Sequence, residues 1–199
     1  MGFSEMVRKL ARKKELQVAF YQDDLLQMAQ LRNAIVHERI STDFVIAEPN
    51  EWAVNRLLEI EKSLIRPEKV LPRFAKKATG FDLTIPIKDI LAIVARKQYS
   101  QFPIYDRGVF KGLITTRGLA VWLSVESLKG DIHLEGRKAA ELIERNYKES
   151  NYHFVSQETT IYQVEEMFRS QIRLEAVLIT KNGNPNGNLL GIIRPRDLY

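Results

Sequence analysis

Cysteine is absent from this 199-residue sequence. Its absence excludes disulfide bonds, thiol catalysis and zinc sites built on cysteine, and it is consistent with a reducing compartment. The sequence also lacks any run that approaches the roughly 18 apolar residues of a membrane span. Its N-terminus has no secretory pattern. We therefore expect a cytoplasmic protein that does not enter a membrane.

Residues suited to metal binding or catalysis are few. The three histidines, His37, His133 and His153, do not have the spacing of metal ligands. The sequence has no glycine-rich phosphate loop, no Gly-x-Ser-x-Gly elbow and no His-Glu-x-x-His motif. We therefore predict no metal site and no required cofactor, and we predict catalytic residues only under the ribonuclease hypothesis given below.

Positive charge is in excess, with a formal net charge of +5 at pH 7. Much of the excess lies in two clusters, at residues 8–14 and 73–77. One interpretation is a solvated helix face and a basic linker. The alternative is attraction to a partner that carries phosphate, either nucleic acid or a nucleotide.

Residues 1–70 are predicted to form an all-helical segment. The apolar periodicity predicts helix from residue 4 to about residue 38, with a break at Tyr21–Asp24. A third helix is predicted at Glu51–Ile65, with Asn50 as its N-cap and Pro67 just beyond its end. Between the second and third helices, Phe44–Ile46 is too short to classify.

The predicted second helix contains Arg32, Asn33 and His37 near its C-terminal end. Asn33 and His37 are four residues apart and therefore share a face of the helix. Together with Arg32, they could bind a phosphate and move a proton. Alternatively, the three form a polar cluster that fixes the helix end, with His37 favourably placed near the C-terminus.

The spacing of Arg32 and His37 resembles the Arg-x4-6-His motif of HEPN domains, which are small helical domains. The resemblance implies a metal-independent, dimeric ribonuclease in which Arg32 and His37, beside Asn33, act on the RNA phosphodiester. The helical segment here is shorter than a full HEPN domain. The resemblance therefore favours a shortened version that serves for homodimerisation.

A β-hairpin pattern occurs twice in the remainder of the chain. Two short apolar runs around the turn Asp106–Gly108 predict paired strands, because Gly108 supplies the positive φ that such a turn needs. The stretch Leu174–Leu198 repeats the pattern with a longer turn. Gly112–Leu119 aligns without gaps on Gly191–Leu198. The repeat indicates two copies of one structural unit.

Each copy is predicted to be a β-α-β-β-α unit, which gives an α+β fold. The first unit spans residues 81–128 and follows a linker at 71–80. Its elements are a strand at Phe81–Ile85, a helix at Ile87–Gln98, the hairpin, and a helix from Arg117 to about Leu128. A helical connection at 129–150, with a helix at Glu135–Lys148, leads to the second unit. That unit spans residues 151–199, contains a helix at Ile161–Ser170, and lacks most of its last helix.

The two units resemble the cystathionine-β-synthase (CBS) domain family. The resemblance is carried by Phe102–Asp106 with Gly112–Thr115 in the first unit, and by Ala176–Leu178, Gly191–Ile193 and Arg196–Leu198 in the second. It implies a compact pair of units, called a Bateman module, that dimerises into a disk. It also implies a regulatory role in which clefts between the units bind AMP, ADP, ATP or S-adenosylmethionine and signal to an attached domain.

The ligand motif of that family is Gly-x-x-Thr/Ser-x-x-Asp, in which the hydroxyl meets ribose or phosphate and the carboxylate accepts from the ribose. The first unit keeps Gly112 and Thr115 but has Gly118 at the carboxylate position. The second unit keeps Gly191 and Asp197 but has Arg194 at the hydroxyl position. Neither copy is complete.

The resemblance implies a ligand-binding set drawn from both units. Asp197 is expected to hold the ribose, and Arg194 and Arg196 the phosphates, because a guanidinium donates in a fixed fork. Thr115 and Arg117 belong to the first cleft. Apolar side chains and backbone are expected to hold the adenine, from Pro103, Ile104, Phe154, Val155, Ala176 and Val177. Alternatively, Thr115 only caps a helix, Arg117 is a surface charge, and Asp197 caps the terminal turn.

Three hypotheses follow from the sequence. The first is a homodimeric regulatory protein whose paired units bind an adenine nucleotide. The second is an RNA-binding protein or ribonuclease that uses Arg32 and His37. The third is an interaction scaffold whose clefts are filled by side chains.

Overall fold

The computed structural model describes residues 1–13, 16–37, 48–76, 78–145 and 151–198. The chain divides into two compact units. The helical unit comprises residues 1–68 and 160–166, and the sheet unit comprises residues 69–159 and 167–199. Helices and strands together give the α+β fold that the sequence predicts.

The helical unit begins with three α-helices and a short 3₁₀ helix. They are α1 (Phe3–Ala11), the 3₁₀ helix (Gln17–Tyr21), α2 (Gln22–His37) and α3 (Glu51–Ile65). α1 ends before the predicted break, and the two charged residues that follow it, Arg12 and Lys13, are exposed. α3 has the predicted bounds. The Asn50 side chain accepts from the backbone N–H of Ala53 at 2.9 Å, which confirms the N-cap.

The core of the helical unit lies where these helices meet. Its buried members are Val7, Val18, Tyr21, Leu25 and Ile60. Beside this core, Arg56 of α3 donates from Nε and a terminal nitrogen to one carboxylate oxygen of Asp24 in α2, at 3.0 and 2.6 Å. The apolar contacts and this ion pair hold α2 against α3.

The sheet unit opens with a short helical turn and a three-stranded sheet. The elements are α4 (Val70–Arg73), β1 (Phe81–Asp82), α5 (Ile87–Lys97), β2 (Gln101–Asp106), β3 (Val109–Thr115) and α6 (Thr116–Ser127). β2 pairs in parallel with β1 and antiparallel with β3. β1 is shorter than predicted. The Asp82 side chain accepts from the backbone N–H and hydroxyl of Thr84, at 2.8 and 2.6 Å, and this turns the chain out of the strand.

The chain continues into a second three-stranded sheet. The elements are α7 (Ala139–Arg145), β4 (Tyr152–Ser156), α8 (Ile161–Ser170), β5 (Ala176–Thr180), β6 (Leu189–Ile193) and a 3₁₀ turn (Pro195–Asp197). α8 has the predicted bounds. α7 begins after the predicted start at Glu135, because Gly136 has a φ of +72° and Arg137 donates its N–H to the Leu134 carbonyl in a turn. The predicted end of this helix lies outside the described residues.

The two hairpins of the sheet unit have the same register. Ile104 faces Gly112 in the first hairpin, Ile179 faces Gly191 in the second, and an irregularity in the pairing follows directly in both. The ungapped alignment of the two repeats is therefore confirmed. The predicted tight turn is confirmed as well, since Arg107 and Gly108 have φ values of 51° and 81°.

Candidate functional site

A cleft of about 210 Å³ lies within the sheet unit, where the second hairpin ends. Three stretches of chain line it: the segment before β1, the entry to β2, and the end of β6. The lining residues are Lys76, Ala78, Thr79, Phe81, Tyr99, Ser100, Gln101, Ile192 and Arg194. The cleft therefore combines apolar surface with hydroxyl, amide and cationic groups.

The segment before β1 reaches the cleft by crossing β6. The backbone N–H of Lys76 donates to the Leu190 carbonyl at 3.3 Å. The Phe74 carbonyl oxygen passes so close to Gly191 that a Cβ there would lie 2.3 Å from it. Only glycine leaves room for this crossing, and the crossing places Lys76 beside the end of the hairpin.

The entry to β2 is positioned by the end of α5. Gln98 adopts a left-handed conformation, with φ of 56° and ψ of 29°, and its N–H donates to the Val94 carbonyl at 3.0 Å. The next residues lead into β2, where the Ser100 carbonyl accepts from the N–H of Thr116 at 3.1 Å. Tyr99, Ser100 and Gln101 are thereby held at the edge of the cleft.

Asp197 and Arg194 form a bidentate ion pair at the end of β6. Arg194 donates from Nε to Oδ2 of Asp197 at 2.8 Å and from a terminal nitrogen to Oδ1 at 2.6 Å. The Arg194 backbone N–H also donates to Oδ2, at 2.9 Å. The side chain of Asp197 is only 11% exposed and that of Arg194 is 25% exposed. Both oxygens of this carboxylate are therefore engaged within the chain.

The charges around Asp197 have a clear effect on its ionisation. The hydrogen bonds and charge of Arg194, with a smaller contribution from the charge of Lys76, lower the pKa of Asp197 to about 2. The Lys76 ammonium lies 3.7 Å from Oδ1. The carboxylate is therefore ionised at neutral pH, and one negative charge faces two positive ones. This excess of positive charge suits an anionic ligand.

Thr115 and Arg117, predicted for the first cleft, lie in a different setting. Thr115 is buried, and its hydroxyl accepts from the backbone N–H of Gly118 at 3.1 Å, so it caps α6 as predicted. Arg117 is exposed. The segment before β4 that corresponds to the one carrying Lys76 includes residues 146–150, which lie outside the described residues.

The apolar residues predicted to hold the adenine are not among those that line the cleft. Five of them are buried in the strands, namely Pro103, Ile104, Val155, Ala176 and Val177. Phe154 is half-buried, and its ring packs edge-on against that of Phe110 at 4.8 Å between centroids. Arg196 is exposed and is also absent from the cleft lining. Of the predicted ligand-binding residues, Arg194 lines the cleft, and Asp197 binds Arg194 without itself lining the cleft. Lys76, which was not predicted for this site, lies beside both.

Apart from Ile192 in β6, the cleft residues that sequence reasoning missed precede strands or begin them. Thr79, Phe81, Tyr99, Ser100 and Gln101 lie before or at the start of β1 and β2. The available signal was the parallel pairing of β1 with β2, because the starts of two parallel strands meet at one edge of a sheet. Lys76 was noted only as part of a basic cluster.

The residues of the ribonuclease hypothesis lie in α2. Arg32 donates to the Asn33 side-chain oxygen at 3.2 Å and lines an apolar groove between α2 and α3. The side chain of His37 lies outside the described residues. This hypothesis stays a prediction from the sequence.

Two classes of site are absent from the residues that the structure describes. In those ranges, no group of three or more histidine, aspartate or glutamate side chains is placed to hold a metal ion. Over the same ranges, no helix combines the length and apolar character that a bilayer crossing needs.

Comparison with known proteins relates the C-terminal part of the chain to a known family. The family model described as the CBS domain matches residues 139–199. No curated protein matches the sequence. The chain is similar in structure to the CBS domain of the bacterial CNNM/CorC family Mg2+ transporter in complex with ATP. That similarity has 16% identity and a TM-score of 0.51, and it covers 73% of this chain and 90% of the other.

Two further solved structures have the same fold. An uncharacterized conserved protein from Pyrococcus horikoshii has 15% identity and a TM-score of 0.51, over 66% of this chain and 89% of its own. A Vibrio cholerae protein described as an acetoin utilization protein (AcuB) has 15% identity and a TM-score of 0.50, over 65% and 85%. Residues 139–199 therefore match the CBS domain model, and the chain shares the fold of the solved CBS domain described above.

Proposed function

We propose that this protein is a regulatory sensor that binds an adenine nucleotide in the cleft of the sheet unit. The observation that carries the proposal is the placement of Lys76 and Arg194 in one cleft with hydroxyl, amide and aromatic side chains. A nucleotide needs cations for its phosphates, polar groups for its ribose and an apolar surface for its base. This cleft offers all three.

Each part of the nucleotide has a counterpart in the cleft or, for Asp197, directly behind Arg194 at its wall. The Lys76 ammonium and the Arg194 guanidinium are donors for phosphate oxygens. Asp197 is the acceptor for the ribose hydroxyls, provided that Arg194 releases it. Phe81, Tyr99 and Ile192 supply apolar surface for the base. This assignment differs from the sequence prediction, which placed the adenine on residues that are buried in the strands.

The similar structures support the choice of ligand. The transporter CBS domain named above is a complex with ATP. Its fold is the fold of this chain, although at 16% identity the likeness extends to fold alone. An adenine nucleotide is therefore the first ligand class to examine.

We further propose that the helical unit carries the response through homodimerisation. α3 presents a stripe of exposed apolar side chains, namely Val54, Leu57, Leu58 and Ile65, which are 44% to 68% exposed. The first three line a groove of about 350 Å³ against α2. Large exposed apolar patches on soluble proteins mark interaction surfaces. A second copy of the chain is the proposed occupant.

Isothermal titration with AMP, ADP, ATP and S-adenosylmethionine tests nucleotide binding. We expect heat of binding with at least one of them, and a ligand in hundredfold excess over Kd should raise the free energy of unfolding by about 2.7 kcal/mol. Lys76→Ala should weaken binding about tenfold, because it removes one phosphate donor.

Lys88→Ala is the matched control for this experiment. Lys88 is 52% exposed and lies 3.6 Å from Glu135, whereas Lys76 is 54% exposed and lies 3.7 Å from Asp197. The control variant should bind as the wild type does. An absence of both heat and stabilisation with all four compounds would remove the sensing role and favour the scaffold hypothesis.

A further inference from the structure

The Arg194 side chain binds both carboxylate oxygens of Asp197, the group assigned above to the ribose hydroxyls. Nε and a terminal nitrogen of Arg194 bind the two oxygens of Asp197 at 2.8 and 2.6 Å. The corresponding position of the first repeat is Thr115, which faces Gln101 across its hairpin. A threonine at position 194 could not make this two-point contact, since it has a single hydroxyl. The substitution therefore changes what the cleft can accept.

The position of Asp197 does not depend on the Arg194 side chain. The Arg194 backbone N–H donates to Oδ2 at 2.9 Å, and the Asp197 N–H donates to the Arg194 carbonyl at 2.9 Å. The 3₁₀ turn that contains Pro195 maintains both bonds. If the guanidinium moves away, the carboxylate stays in place with its other acceptor sites open.

The size of the cleft also points to a movable guanidinium. Its volume of about 210 Å³ is below the ~300–1,000 Å³ that is usual for sites of small organic ligands. Arg194 is one of its walls, with a side chain that is 25% exposed. Asp197 is not among the residues that line the cleft in this conformation, so rotation of the Arg194 side chain away from it would both enlarge the cleft and open the carboxylate to a ligand.

We propose that Arg194 makes the cleft selective for ligands that carry both a ribose-type diol and a phosphate. A neutral diol would have to displace the guanidinium from Asp197 and leave a partly buried cation without its counter-ion. A phosphorylated ligand supplies that counter-ion, so the guanidinium passes from Asp197 to the phosphate while the diol takes its place on Asp197. This exchange makes the cleft select phosphorylated ligands over neutral diols. The inference rests on the proposed nucleotide-binding function.

Titration with AMP and adenosine tests the selectivity, because the two ligands differ only in the phosphate. Wild-type protein should bind AMP about a hundredfold more tightly than adenosine, as expected for a charged two-point contact that only AMP can replace. Arg194→Thr should reduce this ratio to below about tenfold, chiefly because adenosine binds more tightly once Asp197 is open. Arg96→Thr, which removes an exposed arginine from α5, should leave the ratio unchanged.

The outcomes separate this inference from the proposed function. Binding of AMP with the same AMP-to-adenosine ratio in wild type and Arg194→Thr would overturn the selectivity and leave the nucleotide site standing. Equal affinity of the wild-type protein for AMP and adenosine would also overturn the selectivity and leave the nucleotide site standing. Failure of both ligands to bind either protein would overturn the site itself. Circular dichroism of Arg194→Thr confirms that the comparison is made on folded protein.

Discussion

Single residues distinguish the two repeats of the sheet unit. Thr115 and Arg194 occupy the same place in two hairpins of identical register. Thr115 satisfies a backbone N–H at the start of α6, whereas Arg194 neutralises Asp197. Two differences between the repeats, Arg194 in place of Thr115 and Asp197 in place of Gly118, therefore change a helix cap into an ion pair beside the cleft.

Asp197 is expected to make stability depend on pH. Its pKa is about 2 in the folded protein, against 3.8 for an ordinary aspartate, because Arg194 stabilises the charged form. A carboxylate whose pKa is lowered by folding stabilises the protein at pH values above its unfolded-state pKa. This contribution is lost as the pH falls through the folded-state pKa. Asp197→Asn should lower the free energy of unfolding by about 1–2 kcal/mol at pH 7, after allowance for screening by water.

Urea denaturation at pH 7, 4 and 2 measures this effect. The difference in unfolding free energy between wild type and Asp197→Asn should be largest at pH 7 and should shrink between about pH 4 and pH 2. Asp131→Asn, at an exposed position, is the control and should match the wild-type free energy of unfolding at pH 7 to within about 0.5 kcal/mol. A gap that stays constant down to pH 2 would contradict the role of the ionised carboxylate.

Gly191 is predicted to tolerate no side chain. A Cβ at this position would lie 2.3 Å from the Phe74 carbonyl oxygen, which is backbone and cannot rotate away. Gly191→Ala should therefore cost about 1–3 kcal/mol of unfolding free energy, as measured by denaturant titration. Gly2→Ala meets no atom within 4 Å and should stay within about 0.5 kcal/mol of wild type. Equal stability of the two variants would mean that the crossing of β6 is not tightly packed.

At the scale of elements, prediction was most accurate for helices that have a clear cap and a regular apolar face. α3 and α8 have the predicted bounds, and the caps Asn50 and Thr115 are read directly from residue type and spacing. β1 ended early because the Asp82 side chain competes for the backbone of Thr84. Such side-chain turns depend on the local conformation, and apolar periodicity does not report them.

Thr115 is expected to act as a cap and not as a ligand group. Thr115→Ala removes the acceptor for the Gly118 N–H and should lower the free energy of unfolding by about 1 kcal/mol. Thr115→Ser keeps the hydroxyl and should restore most of this loss. Both variants should bind AMP with wild-type affinity, since Thr115 is not among the residues that line the cleft. Weaker AMP binding by Thr115→Ala, with the affinity restored in Thr115→Ser, would assign this hydroxyl to a ligand instead.

At the scale of the whole molecule, the repeat was the most informative feature of the sequence. It predicted the α+β fold, and it aligned the ends of the two hairpins residue by residue. It could not predict that Arg194 binds Asp197, because a bond between two residues three positions apart depends on side-chain rotamers. Nor could it place Lys76, whose position follows from a chain crossing between distant residues.

Self-association through α3 is the prediction that belongs to this scale. Wild-type protein should run as a dimer in size-exclusion chromatography with light scattering. Leu58→Glu places a charge on a side chain that is 55% exposed and should weaken the dimer at least about tenfold. Val121→Glu, at a side chain of 56% exposure on α6, is the matched control. Dissociation of the dimer by Val121→Glu but not by Leu58→Glu would indicate that the interface lies on the sheet unit.

A crystal structure of the protein grown with AMP tests the central claim most directly. We expect the nucleotide in the cleft lined by Lys76, Ser100 and Arg194, with the ribose hydroxyls on Asp197 and Arg194 turned from the carboxylate to the phosphate. AMP bound at another place, or AMP in this cleft with the Arg194–Asp197 ion pair intact, would contradict the account.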